Sequence, residues 1–258
     1  MKLIGTLLLV TCSLLSSAAA YAENDVRVEY AKPEGAVETA ISKELKTSNT
    51  IGSVTTFIDG YFKLPESLVF FIGGEEGPLY DVAENRILIP YSFVTEIKDR
   101  FKQANYKETG VTAEEATKDA LMHTLFHEFA HAAIAMYELP VLGKEEDAAD
   151  ALATILLIEF FDNGQEIALS AADLFDLESD DRDTLGDEDF WDEHSLDDQR
   201  YFSTLCHVYG SDPEQYAAIL EDGALSEERA ELCIEEYEYT VQSWFKVLEP
   251  YIQDNKTD

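Results

Sequence analysis

The feature that most limits what this chain can become is the run His127-Glu128-Phe129-Ala130-His131, set in apolar sequence. Residues four apart on an α-helix lie on one face, one turn apart. Both imidazoles then point the same way, at a separation that suits two ligands of one tetrahedral zinc ion. Glu128 projects sideways from that pair, toward the position of a water on the metal. Ala120, Leu121, Phe126, Phe129, Ala130, Ala133 and Ile134 surround the motif with apolar side chains. That pattern predicts a buried helix, which holds a metal site rigidly. The expectation is a helix carrying His127 and His131 as zinc ligands and Glu128 as general base. His123, one turn earlier, reads as packing or as support for a ligand.

Local signals bound this helix. Thr112-Ala113-Glu114-Glu115 is a capping box, in which Thr112 accepts from an early amide and Glu115 reaches back. The helix is expected to run to Glu138 and to stop at Leu139-Pro140. A second helix is expected from Glu145 to about Phe161. Within it Glu146 and Asp150 share a face, and the alanines between them allow close approach to the first helix. Two histidines and a water leave one protein ligand to find. Here the sequence resembles the glutamate-zincins, whose third ligand is a Glu in an E-x-x-x-D pattern on the next helix. The resemblance implies Glu146 as that ligand. It implies Asp150 as the carboxylate that accepts from a ligand histidine and fixes its tautomer. Glu145 and Asp147 remain alternative ligands, though neither has an acidic partner four residues on, and the competing reading of all three acids is that they complement a helix N-terminus.

The chain after about Thr50 also resembles a bacterial zinc metallopeptidase family classed as domain of unknown function 4344. The matching pieces are the motif itself, Glu145-Glu146-Asp147-Ala148-Ala149-Asp150, Asp192 through Arg200, Leu205-Cys206, Tyr209 through Pro213, and Arg229 through Cys233. The resemblance supports the zinc-peptidase reading and a Cys206–Cys233 pair, and names no substrate. A zinc peptidase also needs a donor for the oxyanion of its tetrahedral intermediate. Related zincins place a His or Tyr after the third ligand, which makes His194 the candidate, with Tyr201 and Tyr209 as alternatives. His207 reads as structural.

Elsewhere the patterns are coarser. Helical spacing runs from Ile51 to Phe62 and from Tyr91 to Tyr106. Leu68–Ile72 reads as a buried strand, and Leu79–Val82 with Ile87–Tyr91 as a hairpin. Further helices are expected at Gln165–Leu177, Ser195–Tyr209, Pro213–Leu220 and Ser226–Leu248. Glu23–Asn49 reads as a polar lead-in, and the acidic stretch Asp173–Asp198 as an exposed loop. The expected fold is α+β, helix-rich and zincin-like (gluzincin-like), with a small sheet beside the motif helix. Residues 50–258 would form one domain, and the hairpin would line the cleft and pair with extended substrate.

Charge and the first residues bear on partners and place. The formal net charge is -35, from 53 acidic and 18 basic side chains. Such a surface repels nucleic-acid phosphates and anionic lipid. Lys2, the apolar run Leu3–Leu15 and Ala20-Tyr21-Ala22 read as a cleaved export signal over residues 1–22. Lipidation at Cys12 is the less favoured reading, because Thr11 sits awkwardly before it. Nothing later is long and apolar enough to span a bilayer. The two remaining cysteines, Cys206 and Cys233, suggest one disulfide in an exported chain. The expectation is a periplasmic or secreted zinc metallopeptidase acting on peptide or protein. Two other readings compete with it: a metal-holding binding or scaffold protein without turnover, and an amidase acting on cell-wall peptide.

Overall fold

A computed structural model describes residues 26–182, 184–221 and 223–253. The expected signal segment, with Cys12, lies outside these residues. The fold is α+β and rich in helix. It begins with strand β1 (Val26–Tyr30), helices α1 (Gly35–Thr47) and α2 (Thr50–Tyr61), strands β2 (Leu68–Ile72), β3 (Leu79–Asp81) and β4 (Arg86–Ile89), and helix α3 (Tyr91–Gln103). The motif helix α4 (Ala113–Met136) and its neighbour α5 (Glu145–Phe160) follow. Then come α6 (Gly164–Ser179), the short α7 (Asp187–Trp191), α8 (Asp197–Ser211), the short α9 (Ala218–Glu221) and α10 (Glu227–Leu248).

The four strands form one sheet in the order β1-β2-β4-β3. β1 and β4 both run parallel to β2, and β3 pairs antiparallel with β4. Along β2 the buried and half-buried residues alternate. Leu68, Phe70 and Ile72 therefore face inward together, level with Ile87 and Ile89 of β4. This face joins Val54, Ile58 and Phe62 of the α2 region and Leu125, Phe126 and Phe129 of α4 in one apolar core. The rings of Phe62 and Phe129 lie 4.9 Å apart between centroids. Each such side chain contributes about 1.5–3 kcal/mol by leaving water.

The motif helix is buried on nearly every side, as its sequence predicts: the sheet and α2 cover one flank, α3, α5 and α6 the others. Its start is the expected capping box, with Thr112 Oγ1 accepting from Glu115 N at 3.2 Å and Glu115 Oε2 accepting from Thr112 N at 3.0 Å. Ala149 and Ala153 of α5 are fully buried, and their small size lets α5 lie close along α4.

The hairpin is also as expected, with β3 as an edge strand. Its turn is held by Asp81 Oδ1, which accepts from Ala83 N at 2.8 Å, and by Asn85 in the left-handed region at φ 50°. Gly77 leads into β3 at φ +110°. A Cβ there would stand 2.3 Å from the Leu88 carbonyl oxygen, so only glycine lets the two chains approach.

Three expectations need correction. The polar lead-in is regular structure from residue 26, the first described residue: Val26–Tyr30 is a strand of the sheet, and α1 buries Ile41 and Leu45. Tyr91 Oη ties this segment down by donating to Ala31 O and accepting from Ser42 Oγ, each at 3.0 Å. The acidic stretch 173–198 is not simply a loop. α6 continues to Ser179, Asp173 accepts a hydrogen bond from Tyr106 Oη, and α7 follows. The helix expected at 213–220 is mostly turns, with only Ala218–Glu221 helical.

Cys206 of α8 and Cys233 of α10 form a disulfide. Gly210 sits one turn on from Cys206, where a Cβ would meet the Cys233 carbonyl oxygen at 2.3 Å. Its missing side chain brings α8 and α10 together. Among the described residues no helix is long and apolar enough to cross a membrane.

Candidate metal centre

The α4–α5 pair brings three of the expected ligands to one point. His127 Nε2 and His131 Nε2 are 3.2 Å apart, and Glu146 Oε2 lies 3.1 Å from the first and 3.2 Å from the second. Donors about 2.0–2.1 Å from a tetrahedral zinc ion stand roughly 3.3 Å from one another. The triangle of donors therefore has the edge length such an ion requires, and two imidazoles with one carboxylate are a zinc donor set. The three donors line a cavity of about 250 Å³ together with Glu128, His194 and the edge-strand residues Leu79 and Tyr80. This cavity shares Tyr80, Val82 and Ala135 with a larger cleft of about 670 Å³ along the end of α4.

Both histidine donors are held from behind. Asp150, one turn beyond Glu146 on α5, accepts from His127 Nδ1 at 2.7 Å. That fixes the ring so that Nε2 presents its lone pair to a metal. Arg200 of α8 grips the same carboxylate with two bonds, Nε to Oδ2 at 2.7 Å and Nη2 to Oδ1 at 2.9 Å. Its guanidinium also lies 3.9 Å from the Phe175 ring centroid. His131 Nδ1 stands 2.8 Å from Glu145 Oε1, so Glu145, weighed as a ligand, instead supports the second histidine from the far side. Asp147 is not among the clustered donors. His123 is buried and pairs with Thr154 Oγ1 at 3.1 Å, one turn below the site.

His194 arrives on the segment before α8. Its Nε2 lies 3.0 Å from Glu146 Oε2, at the mouth of the cavity. Asp192 Oδ1 accepts from the His194 backbone N–H at 2.9 Å. Lys144 pins the segment to the start of α5 by donating to the carbonyls of His194 at 2.8 Å and Asp192 at 3.1 Å. The alternatives lie elsewhere. Tyr209 is buried beside the disulfide, and Tyr201 packs edge-on against Phe202. His207 is buried near Tyr237, as a structural residue would be.

The electrostatics follow from this packing. Burial works against a charged His127, yet Asp150 and Glu146 carry its pKa up to about 9. Burial also opposes a charged His131, but Glu146 and Glu145 raise it. Burial would raise Glu146 too, and three imidazoles hold it well below the usual carboxylate range. Asp150 behaves alike, held down by Arg200 against its own burial. Burial raises Glu128, and His127 and His131 offset only part of that. The centre thus concentrates negative charge on Glu146 and Asp150, and a dication would replace the protons on the two Nε2 atoms while His127 keeps its Nδ1 proton for Asp150.

Sequence reasoning placed Glu128, His127, His131, Glu146, Asp150 and His194, and the fold brings all six together. It assigned no role to Arg200, Lys144 or Asp192. Asp192 and Arg200 stood at the ends of a segment already singled out, but nothing local shows that Arg200 reaches across to a carboxylate 50 residues away.

A family described as "Putative metallopeptidase", domain of unknown function 4344, matches residues 30–248. No curated protein and no solved structure matches the chain.

Proposed function

The chain belongs to that family of putative metallopeptidases, and on this footing we propose that it hydrolyses peptide bonds with zinc held by His127, His131 and Glu146. The observation that carries the reading is the triangle of donors with edges of 3.1–3.2 Å, opening on a cavity that Glu128 and an edge strand share. When bound there, zinc supplies Lewis acidity, which polarises a peptide carbonyl and acidifies water. Glu128 takes a proton from the attacking water and passes it to the leaving amine. Asp150 holds the His127 tautomer, and Arg200 holds Asp150. His194 donates from its ring to the carbonyl oxygen as that oxygen gains charge. An extended substrate lies along β3, pairing with its free backbone edge. The acidic surface disfavours nucleic acid as a partner. The Cys206–Cys233 disulfide supports an oxidising setting, the periplasm or the outside of the cell.

The test is Glu128→Gln, which keeps the shape and removes the base. Hydrolysis of a peptide library should fall by about 10²–10⁴-fold or more, with zinc content unchanged. A variant that keeps full activity would remove Glu128 from the chemistry.

A further inference from the structure

A second cavity, about 270 Å³, opens from the same centre on the side away from the larger cleft. His127, Glu128 and His194 line its mouth. Phe93, Leu174 and Phe175 give it apolar walls, and Glu178 and Arg200 are its remaining charged residues. The volume suits one side chain rather than a whole ligand.

The two charged residues are not equivalent. Arg200 is committed: it holds Asp150 through two hydrogen bonds and stacks on Phe175. Glu178 is held only by a long ion pair. Its side chain is 28% exposed, and the nearest cation is Arg100 Nε at 4.0 Å, beyond hydrogen-bond reach. Arg100 spends Nη2 on Asp181 at 2.6 Å and Glu96 at 3.1 Å, and its buried Nε makes no hydrogen bond, so Glu178 is its neighbour only across that long ion pair. Asp197, which bears on Glu178 as a further negative charge, is paired with Arg182 at 3.2 Å. Burial and Asp197 push the Glu178 carboxyl up to about 7 despite Arg100 and Arg200, as expected for a buried acid whose ion pair is long.

We propose that this cavity receives the substrate side chain next to the scissile bond, and that Glu178 makes it select a basic one. The inference rests on the peptidase reading and gives it a substrate class. The methylenes of an arginine or lysine would lie against Phe93, Leu174 and Phe175 while the cationic head meets Glu178. An acidic side chain would meet a like charge, and a neutral one would leave the Glu178 carboxylate with no hydrogen bond and only its long pair with Arg100.

The experiment measures binding apart from turnover. Zinc-loaded chain carrying Glu128→Gln is titrated by calorimetry with acetyl-pentapeptide amides that differ only at the central residue. That residue is arginine or its neutral isostere citrulline. The salt is set at 150 mM or above, so that general attraction to the acidic surface is screened. The arginine peptide should bind about ten- to a hundred-fold more tightly, and adding Glu178→Gln should bring the ratio to about one. Equal affinities without the Glu178 change, or a ratio that Glu178→Gln leaves intact, would overturn the proposal. The same peptides are then offered to the unsubstituted chain. Preferential binding that depends on Glu178, with no cleavage of either peptide, upholds the pocket and removes the peptidase reading. Cleavage indifferent to arginine or citrulline upholds the peptidase reading and removes the pocket.

Discussion

Replacing Asp150 by Asn tests how far the centre depends on its supporting carboxylate. The substitution keeps the shape of the side chain and deletes its charge. Asp150 accepts three hydrogen bonds, one from His127 at 2.7 Å and two from Arg200 at 2.7 and 2.9 Å. Both ion-pair partners are well shielded, with side chains 15% and 11% exposed. Breaking a buried pair from one side leaves the other charge uncompensated, at a cost of about 3–5 kcal/mol. Asn still offers one acceptor oxygen, so the expected loss is near 3 kcal/mol. For a domain of this size that corresponds to a fall of about 6–12 °C in Tm. The same change loosens the His127 tautomer, and such outer partners typically account for about 10–100-fold in metal affinity. Urea melts of the zinc-free chain read the first effect. Competition for zinc with a chromophoric chelator reads the second. A variant with unchanged melting and unchanged zinc affinity would refute the reasoning, because neither the ion pair nor the tautomer would then matter. Loss of stability alone would assign Asp150 to packing rather than to the metal.

Two further predictions concern the rest of the molecule. His123 and His207 are buried, and burial lowers each pKa to about 4. A depressed folded-state pKa means their contribution is fully present above about pH 6.5 and is lost as pH falls through 4. Stability should therefore drop by up to about 3 kcal/mol per histidine over that window, and His207→Gln should flatten the slope measured by urea melts at stepped pH. Reduction of the Cys206–Cys233 bond opens a loop spanning 27 residues, which in the chain-entropy model removes about 3.5 kcal/mol. Melting with and without reductant checks this, and coincident curves would contradict it.

The centre was legible where the chemistry is local. The i, i+4 spacing of His127 and His131 and of Glu146 and Asp150, the capping box at Thr112 and the Leu139-Pro140 stop are helical signals within a turn or two of the residues they govern. Arg200 was not legible as a partner, because its contact with Asp150 joins two helices whose packing no sequence period encodes. β1 was missed although Val26, Val28 and Tyr30 alternate with Arg27 and Glu29, the pattern of a half-buried strand. The strand is short and its pairing partner β2 lies about 40 residues on, so polar composition outweighed the alternation. The acidic stretch misled for the opposite reason. Leu174 and Phe175 join Ile167, Ala168, Ala171 and Ala172 in anchoring α6, while Asp176 is exposed, Asp173 accepts from Tyr106 and Glu178 lines the cavity beside the centre.

The central claim is that His127, His131 and Glu146 together hold one metal ion. Elemental analysis of the purified, zinc-exposed protein, run beside His131→Ala and Glu146→Ala, tests it most directly. The account predicts one zinc per chain in the unsubstituted protein, lost or strongly weakened in both variants. No stoichiometric metal in the unsubstituted chain, or full zinc content in either variant, would contradict it.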